Sequence, residues 1–568
     1  MRQAISELHS LIHTLSGETL EAHDWAPVPN AKLGDFAIPC FKLSKALQKK
    51  PVEIATDLAA KINASTDRNF VDSVVAAGPY LNVKLNYNKY YSWIDELIKN
   101  NTLGQSDRGQ GKKVIVEYSS PNIAKEMALH HLRTTCIGHS LASIYKNHGY
   151  AVERINYLGD WGTTHGKLLV ALDKYGDESR LKKDGVAYML ELYVRFNKEE
   201  KDNPELSAQA KKAFQELEQG DVELRRKWQL FRDISIEEFK KLYARLGVEF
   251  DAYDGESFYE KKIDAVVADI DKKIGTYISE GALVCDLPGQ EIPALLRKDD
   301  GASLYLTRDI AAASDRFERY NFDECLYVVA SQQKFHFEQL FKIVELLERP
   351  FAGRLEHIPF GMLSFGSRTM KSREGNVIFL NDVLDEAREK AEKIIREKNP
   401  NLENITQTAE QIGIGAILFS DLSQFRVKDV NFSWDAALSF EGDTAPSVQY
   451  THARCTSLIE KARAHLETCQ DAGGKDELLK DAFVQDLIRE WGFFEKYCDR
   501  ALENKDPSQI ASSVLKVAKA FNRLYHDRRF LDEADKSKLQ LLISLTEGTQ
   551  WVLKRGLSLL GIQAPERM

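Results

Sequence analysis

No run of about eighteen apolar residues occurs in the chain, so a membrane-spanning helix is not expected to organise it. The stretch Met1 to His13 has no signal-peptide core and reads instead as an amphipathic helix, which makes the cytoplasm the expected address. Cysteine is sparse and scattered: seven residues, at 40, 136, 285, 325, 455, 469 and 498, an odd total with no Cys-x-x-Cys pair. That excludes a disulfide framework and a structural zinc site, leaving buried free thiols. Positive charge is not in excess, since 77 basic residues face 86 acidic ones for a net of −9. A general polycation is excluded, but a local basic face for nucleic acid is not. Internal repeats and low-complexity segments are absent. At 568 residues the chain is too long for one core, and roughly two to four domains are expected.

The most informative stretch lies between residues 113 and 162. Val114, Val116 and Tyr118 alternate with Ile115 and Glu117 as in a buried strand, and Pro121 ends any ladder. Leu132, Cys136 and Ile144 then fall near one face of a helix that breaks at Asn147-His148-Gly149, before a second strand at Val152 to Ile155. This is a βαβ unit, whose first turn and helix N-terminus suit phosphates.

Around it the chain divides into three parts. Residues 1–110 read as a small α+β module, with a helix near 43–61, a strand from Gly78 to Leu85, and a polar linker from Asn100 to Lys112. Residues 111–395 form a parallel-sheet domain with insertions over about 167–300. Within them Ser235-Ile236-Glu237-Glu238 reads as a capping box for a helix closed by Gly247. The β-α-β rhythm resumes with a strand at Leu304-Tyr305-Leu306, a helix capped by Thr307, and a strand at Leu326 to Val329. From about 383 the pattern is helical to the end. In that part Val514, Val517, Phe521 and Leu524 share one helix face while Lys516, Lys519 and Arg523 share the other. A solvated face is the simpler account of that basic stripe, and a nucleic-acid-facing surface the sharper one.

Several ordered motifs carry a resemblance. Ser119-Ser120-Pro121-Asn122-Ile123-Ala124-Lys125-Glu126-Met127, Asn156 to Thr163, Gly255-Glu256-Ser257-Phe258-Tyr259, Asp421 to Gln424, Gln449 to Arg454 and the end Leu560 to Met568 closely resemble arginyl-tRNA synthetases, in order along essentially the whole chain. The resemblance implies an α/β fold: a class I Rossmann-type catalytic domain with helical insertions, an N-terminal α+β module at the tRNA elbow, and a C-terminal all-helical anticodon-binding domain over 396–568. It implies a ligase that uses ATP with Mg2+ to activate L-arginine, then transfers it to arginine tRNA, without a protein-bound metal. The expected assembly is a monomer.

The resemblance also assigns residues. A guanidinium needs a carboxylate that can accept a fork of donors. Asp309, four residues after Tyr305, matches the family's Tyr-x-x-x-Asp arginine pocket; on the residues alone it is explained by the helix dipole. Ser120, Pro121, Asn122, Asn156, Gln333 and His131 complete the arginine set, although Ala330-Ser331-Gln332-Gln333 departs from the usual Asp-Asn-Gly-Gln. For ATP, the KMSK-like loop resembles Met370-Lys371-Ser372-Arg373, with Glu374 at its final lysine, and Lys125 occupies the position of a lysine thought to compensate. The HIGH motif, His-Val-Gly-His in this family, reads Ala128-Leu129-His130-His131: the second histidine is kept, while a phosphate-contacting histidine and an adenine-facing glycine are replaced. Catalytic roles fall on Lys125, His131, Ser372 and Arg373, and nucleotide contacts on Lys125, Ala128, His130, His131, Met370 and Lys371. Contacts to tRNA are expected at Asn82, Tyr450, Lys516, Lys519, Arg523 and Met568. His165 stands where the family commonly has an aromatic residue, after Thr164 in place of glutamine, and reads as an ordinary loop or helix residue. The changed HIGH motif leaves two further readings open: a tRNA-binding paralogue with lost or altered aminoacylation, and another adenylating enzyme of the same fold.

Overall fold

A computed structural model describes residues 1–21, 24–28, 31–298, 305–365 and 378–568. The N-terminal module is a four-stranded antiparallel sheet in the order 26–27, 36–39, 80–85, 71–77, covered by the helices Arg2–Ser16 and Pro51–Ala64. The single helix expected near 43–61 is two, because Gln48 turns left-handed (φ 50) and Pro51 opens a new one.

The second four-stranded sheet is wholly parallel, in the order Leu355–Phe360, Glu324–Ala330, Lys113–Glu117, Ala151–Ile155. Strand order reverses between Lys113–Glu117 and Glu324–Ala330, and the crevice beyond their carboxyl ends is where such sheets take ligands. The helix His130–Asn147 starts at that crevice. It crosses the sheet closely because Gly138 has no side chain: a Cβ there would lie 2.2 Å from the Tyr118 ring.

Three sequence readings are corrected. Tyr305 to Tyr320 is one helix, so no strand forms at 305–306 and Thr307 is a buried residue of the first turn; Leu304 lies outside the described residues. A three-residue apolar run does not distinguish a strand from a helical turn. Ser235 caps nothing. It lies within Val222–Leu246, where its hydroxyl donates to Phe231 O at 2.7 Å, although Gly247 does close that helix. The helical C-terminal part is also interrupted by the strand Val430–Phe432, parallel to Leu363–Phe365.

Arg133 ties these parts together. From the helix behind the crevice, its buried guanidinium pairs with buried Asp421 at 2.8 Å and donates to Lys428 O (2.9 Å) and Arg426 O (3.2 Å). Losing one partner of such a pair leaves a buried charge uncompensated. Arg133→Met is therefore expected to cost about 3–5 kcal/mol in urea unfolding, and Arg133→Met with Asp421→Leu to recover most of it. Equal losses in the single and double variants would refute this.

Candidate active site

The segment after Lys113–Glu117 holds an unusual backbone. Ser119 (φ 73), Ser120 (φ 50) and Ala124 (φ 60) all adopt the left-handed region without being glycine. Each such residue costs on the order of 1–3 kcal/mol and persists only where its surroundings over-determine it. Those surroundings are hydroxyls. Ser119 N–H donates to Thr134 Oγ1 (3.0 Å), Ser119 Oγ meets Tyr243 OH (2.7 Å), and Thr135 Oγ1 donates to Ser119 Oγ (2.9 Å). Ala124 N–H donates to the Ser235 hydroxyl at 2.9 Å. Gly159 N–H donates to Pro121 O (3.1 Å), and Ile123 N–H to Gly159 O (3.2 Å). A Cβ on Gly159 would fall 1.9 Å from Asn122 Oδ1, so only glycine allows this approach. The result leaves Asn122 exposed and Ser120 half-buried. Asn156 is fully buried and donates to Tyr243 OH at 2.9 Å, while its Oδ1 makes no hydrogen bond among the described residues.

Below this loop three carboxylates converge. Glu117, buried at the strand end, pairs with Arg316 at 2.5 Å. Arg316 is fully buried, its guanidinium 5.3 Å from the Tyr157 ring, 5.8 Å from Tyr327 and 6.0 Å from Tyr259. Glu256 pairs with Arg308 at 2.6 Å, and burial, opposed by Arg308, pushes its carboxyl up to about 8. Asp309 Oδ2 lies 2.7 Å from His336 Nε2. The Tyr157 hydroxyl, buried without a partner among the described residues, is held well above its usual range by burial and then by Asp309, Glu256 and Glu117. A cleft of about 260 Å3 opens beside them, lined by Asn122, Lys125, Gly159, Glu256, Tyr305 and Arg308.

The helix start supplies the opposite polarity. The positive end of the helix dipole lies there, although most N–H groups of the first turn are bonded within the protein: Ala128 to His131 Nδ1, Leu129 to Ile378 O, His131 to Ala128 O and Leu132 to Leu129 O. His131 Nδ1 lies 3.1 Å from both the N–H and the C=O of Ala128, and burial, then His130, drive the ring down to about 4. His130 is exposed, its ring tilted by 39° against that of His131 with centroids 4.0 Å apart. Its side chain thus has room outside the helix start. Lys125 is exposed, its Nζ 5.9 Å from the centre of the Tyr193 ring. The Ala128 backbone pairs with Phe379, flanked by Leu129 N–H to Ile378 O (2.9 Å) and Leu380 N–H to Met127 O (2.8 Å). Residues 378–380 are thereby fixed against the helix start. Met370, Lys371, Ser372 and Arg373 lie outside the described residues.

The amino end of a helix thus follows, across one strained loop, a strand that ends among three carboxylates, each partnered by a basic side chain. Tyr305, which is exposed, and Asp309 lie one turn apart on the helix Tyr305–Tyr320, and Gln333 is exposed beyond the neighbouring strand. Glu117, Glu256, Tyr157, Arg308, Arg316 and His336 were not singled out from the sequence as site residues. The lone acid ending an apolar strand, Glu117, was the available signal, since charge there has to meet a partner. His165 is also buried on the cleft wall, pushed down to about 4 by burial and then by Lys125.

The residues expected to meet tRNA fall in different surroundings. Tyr450 and Met568 line one open groove of about 980 Å3 with Arg454, Lys461, Tyr525 and Arg567, and the Arg454 guanidinium stacks 4.8 Å from Tyr450 and 5.0 Å from Tyr525. Lys516, Lys519 and Arg523 are exposed on another face but engaged, with Tyr497, Asp443 (2.5 Å) and Asp486 respectively. Asn82 is buried in the N-terminal sheet between Ala37 and Val75.

Comparison with known proteins matches three stretches of the chain. Residues 93–434 match the family described as class I tRNA synthetases (R), catalytic domain; 448–568 match the DALR anticodon binding domain; and 2–85 match the arginyl tRNA synthetase N-terminal domain. A protein of Clostridioides difficile (strain 630) named arginine–tRNA ligase is 42% identical over 567 residues, covering 99% of this chain and 98% of its own. Another so named, from Alkaliphilus metalliredigens (strain QYMF), is 43% identical over 543 residues, covering 95% and 94%. The solved arginyl-tRNA synthetase of Thermus thermophilus superposes with a TM-score of 0.81 at 25% identity, covering 100% of both chains. With likeness of this order running from end to end, and a catalytic family match over more than half its length, the chain belongs to the class I arginyl-tRNA synthetases.

Proposed function

We propose that the protein is an arginine–tRNA ligase acting in the cytoplasm on L-arginine, ATP with Mg2+, and arginine tRNA. The observation that carries this reading is the Asp309 carboxylate, one helical turn from Tyr305, grouped with Glu117, Glu256 and the Tyr157 hydroxyl. In the first step a carboxylate oxygen of arginine attacks the α-phosphorus and pyrophosphate leaves. In the second, a 3′-terminal hydroxyl of the tRNA attacks the acyl carbon, an arginyl ester forms and AMP leaves.

Asp309, with Tyr305, takes the substrate guanidinium. Ser120, Pro121, Asn122, Asn156, His131 and Gln333 orient its amino and carboxylate ends, amides and hydroxyls doing so without adding charge. Lys125, His131, Ser372 and Arg373 stabilise the charge that develops as pyrophosphate departs, and Ala128, His130, Met370 and Lys371 border the nucleotide. The Tyr450 and Met568 groove, with its stacked Arg454, suits unpaired bases better than the ion-paired Lys516, Lys519 and Arg523 face does. A paralogue without activity has only Ala128 and His130 in its favour, and end-to-end likeness to proteins named arginine–tRNA ligase supports the active reading.

Arginine-dependent exchange of pyrophosphate into ATP in the presence of arginine tRNA, followed by charging of that tRNA, is the direct assay. Its complete absence would overturn the ligase reading. Asp309→Ala should raise the KM for arginine by about a hundredfold or more, as expected when a buried charge pair is truncated. Unchanged arginine dependence would remove Asp309 from the pocket. Ala128→His combined with His130→Gly is expected to raise the exchange rate, by up to about a hundredfold if one transition-state donor is restored; a large further loss would identify the present pair as a working substitute.

A further inference from the structure

Each of the three carboxylates is already partnered by a basic side chain of the protein. Arg316 lies 2.5 Å from Glu117, Arg308 2.6 Å from Glu256, and His336 2.7 Å from Asp309. A substrate guanidinium brings one more positive charge into the cluster. Two like charges about 4 Å apart at an effective dielectric near 20 repel by roughly 4 kcal/mol, so one of the resident cations has to move or lose its charge. A guanidinium cannot lose its proton in a protein. Arg316 is fully buried among three tyrosine rings, and Arg308 is buried too. His336 is different in both respects. Its side chain is 23% exposed, and imidazole changes charge near neutral pH.

We propose that His336 stands in for the substrate guanidinium on Asp309 while the site is empty, and that arginine binding displaces its proton to solvent. This makes His336 a positioning residue and arginine binding a proton-releasing event. It rests on the assignment of Asp309 to arginine. The groups facing the imidazole are Asp309 of Tyr305–Tyr320, Glu117 of the central strand, and His357 of the outer strand, which is itself held low by burial and bonded to Val329 O at 2.9 Å. Lys334 and Glu338 lie on its own helix and pair with each other at 3.6 Å. Glu256 is a rival source of the proton, because burial raises its carboxyl to about 8.

The sign follows from linkage: a proton released on binding makes affinity rise with pH. Isothermal titration of L-arginine into the full chain, in two buffers of different ionisation enthalpy at pH 6.5 and pH 8, reads the number of protons directly. The expected result is release approaching about one proton at the lower pH and near zero at the higher, with affinity for arginine changing by up to about tenfold per pH unit between them. His336→Gln keeps a neutral donor for Asp309 and should abolish both the release and the pH dependence, with the KM for ATP unchanged. No release by the unaltered protein would overturn the proposal without any variant. Release that persists in His336→Gln but vanishes in Glu256→Gln would overturn it in favour of the carboxyl. Asp309→Asn separates the two levels of the argument. If it leaves arginine affinity unchanged, the pocket assignment fails; if it abolishes binding while the unaltered protein releases no proton, only the role of His336 fails.

Discussion

The buried pair of Arg133 and Asp421 is the constraint on which the rest of the site depends. Arg133 lies two residues beyond His131, so the orientation of the helix start is set by a guanidinium whose partners belong to the segments leading into the C-terminal bundle. Taking both charges out of water is costly, and the pair holds because the remaining donors meet backbone carbonyls at Arg426 and Lys428. One consequence is mechanical continuity. The helix that starts at the crevice is joined to the C-terminal helices through this side chain and again where Ser140 Oγ donates to Leu559 O (2.8 Å).

The loop from Ser119 to Ala124 is the second costly feature. Three left-handed non-glycine residues in six positions oppose folding, and the hydroxyls of Thr134, Thr135, Tyr243 and Ser235 offset that cost by holding the loop from behind. Tyr243 and Ser235 both come from the helical insertion. That insertion is therefore part of the active-site scaffold, since its long helix Val222–Leu246 supports the loop from the side opposite the cleft.

Much of the architecture was legible in the sequence. Strand and helix periodicities are local, so the βαβ unit, the insertion, the helical C-terminal part and the strand ending at Phe365 could be read from spacing. Where local pattern is ambiguous the reading failed. A serine before Ile-Glu-Glu looks the same whether it caps a helix or bonds the carbonyl four residues back, as Ser235 does. Asp309 was identified through likeness to a family, because position alone is explained equally well by the helix dipole. Its partner His336 is 27 residues away on another helix, and Tyr243 lies 124 residues from Ser119. Contacts across a sheet between separate elements leave no spacing to read.

The cage around Arg316 bears on how the molecule can be studied. A guanidinium enclosed by Glu117 and three tyrosine rings is, chemically, the same recognition that the neighbouring carboxylates offer to an arriving arginine. If those carboxylates take arginine as proposed, guanidinium chloride would be both a denaturant and a weak competitor for the native pocket. Whatever binds only the folded state stabilises it by mass action. Unfolding curves in that salt would mix occupation of the pocket with loss of structure, whereas urea, carrying no charge, reports the fold alone.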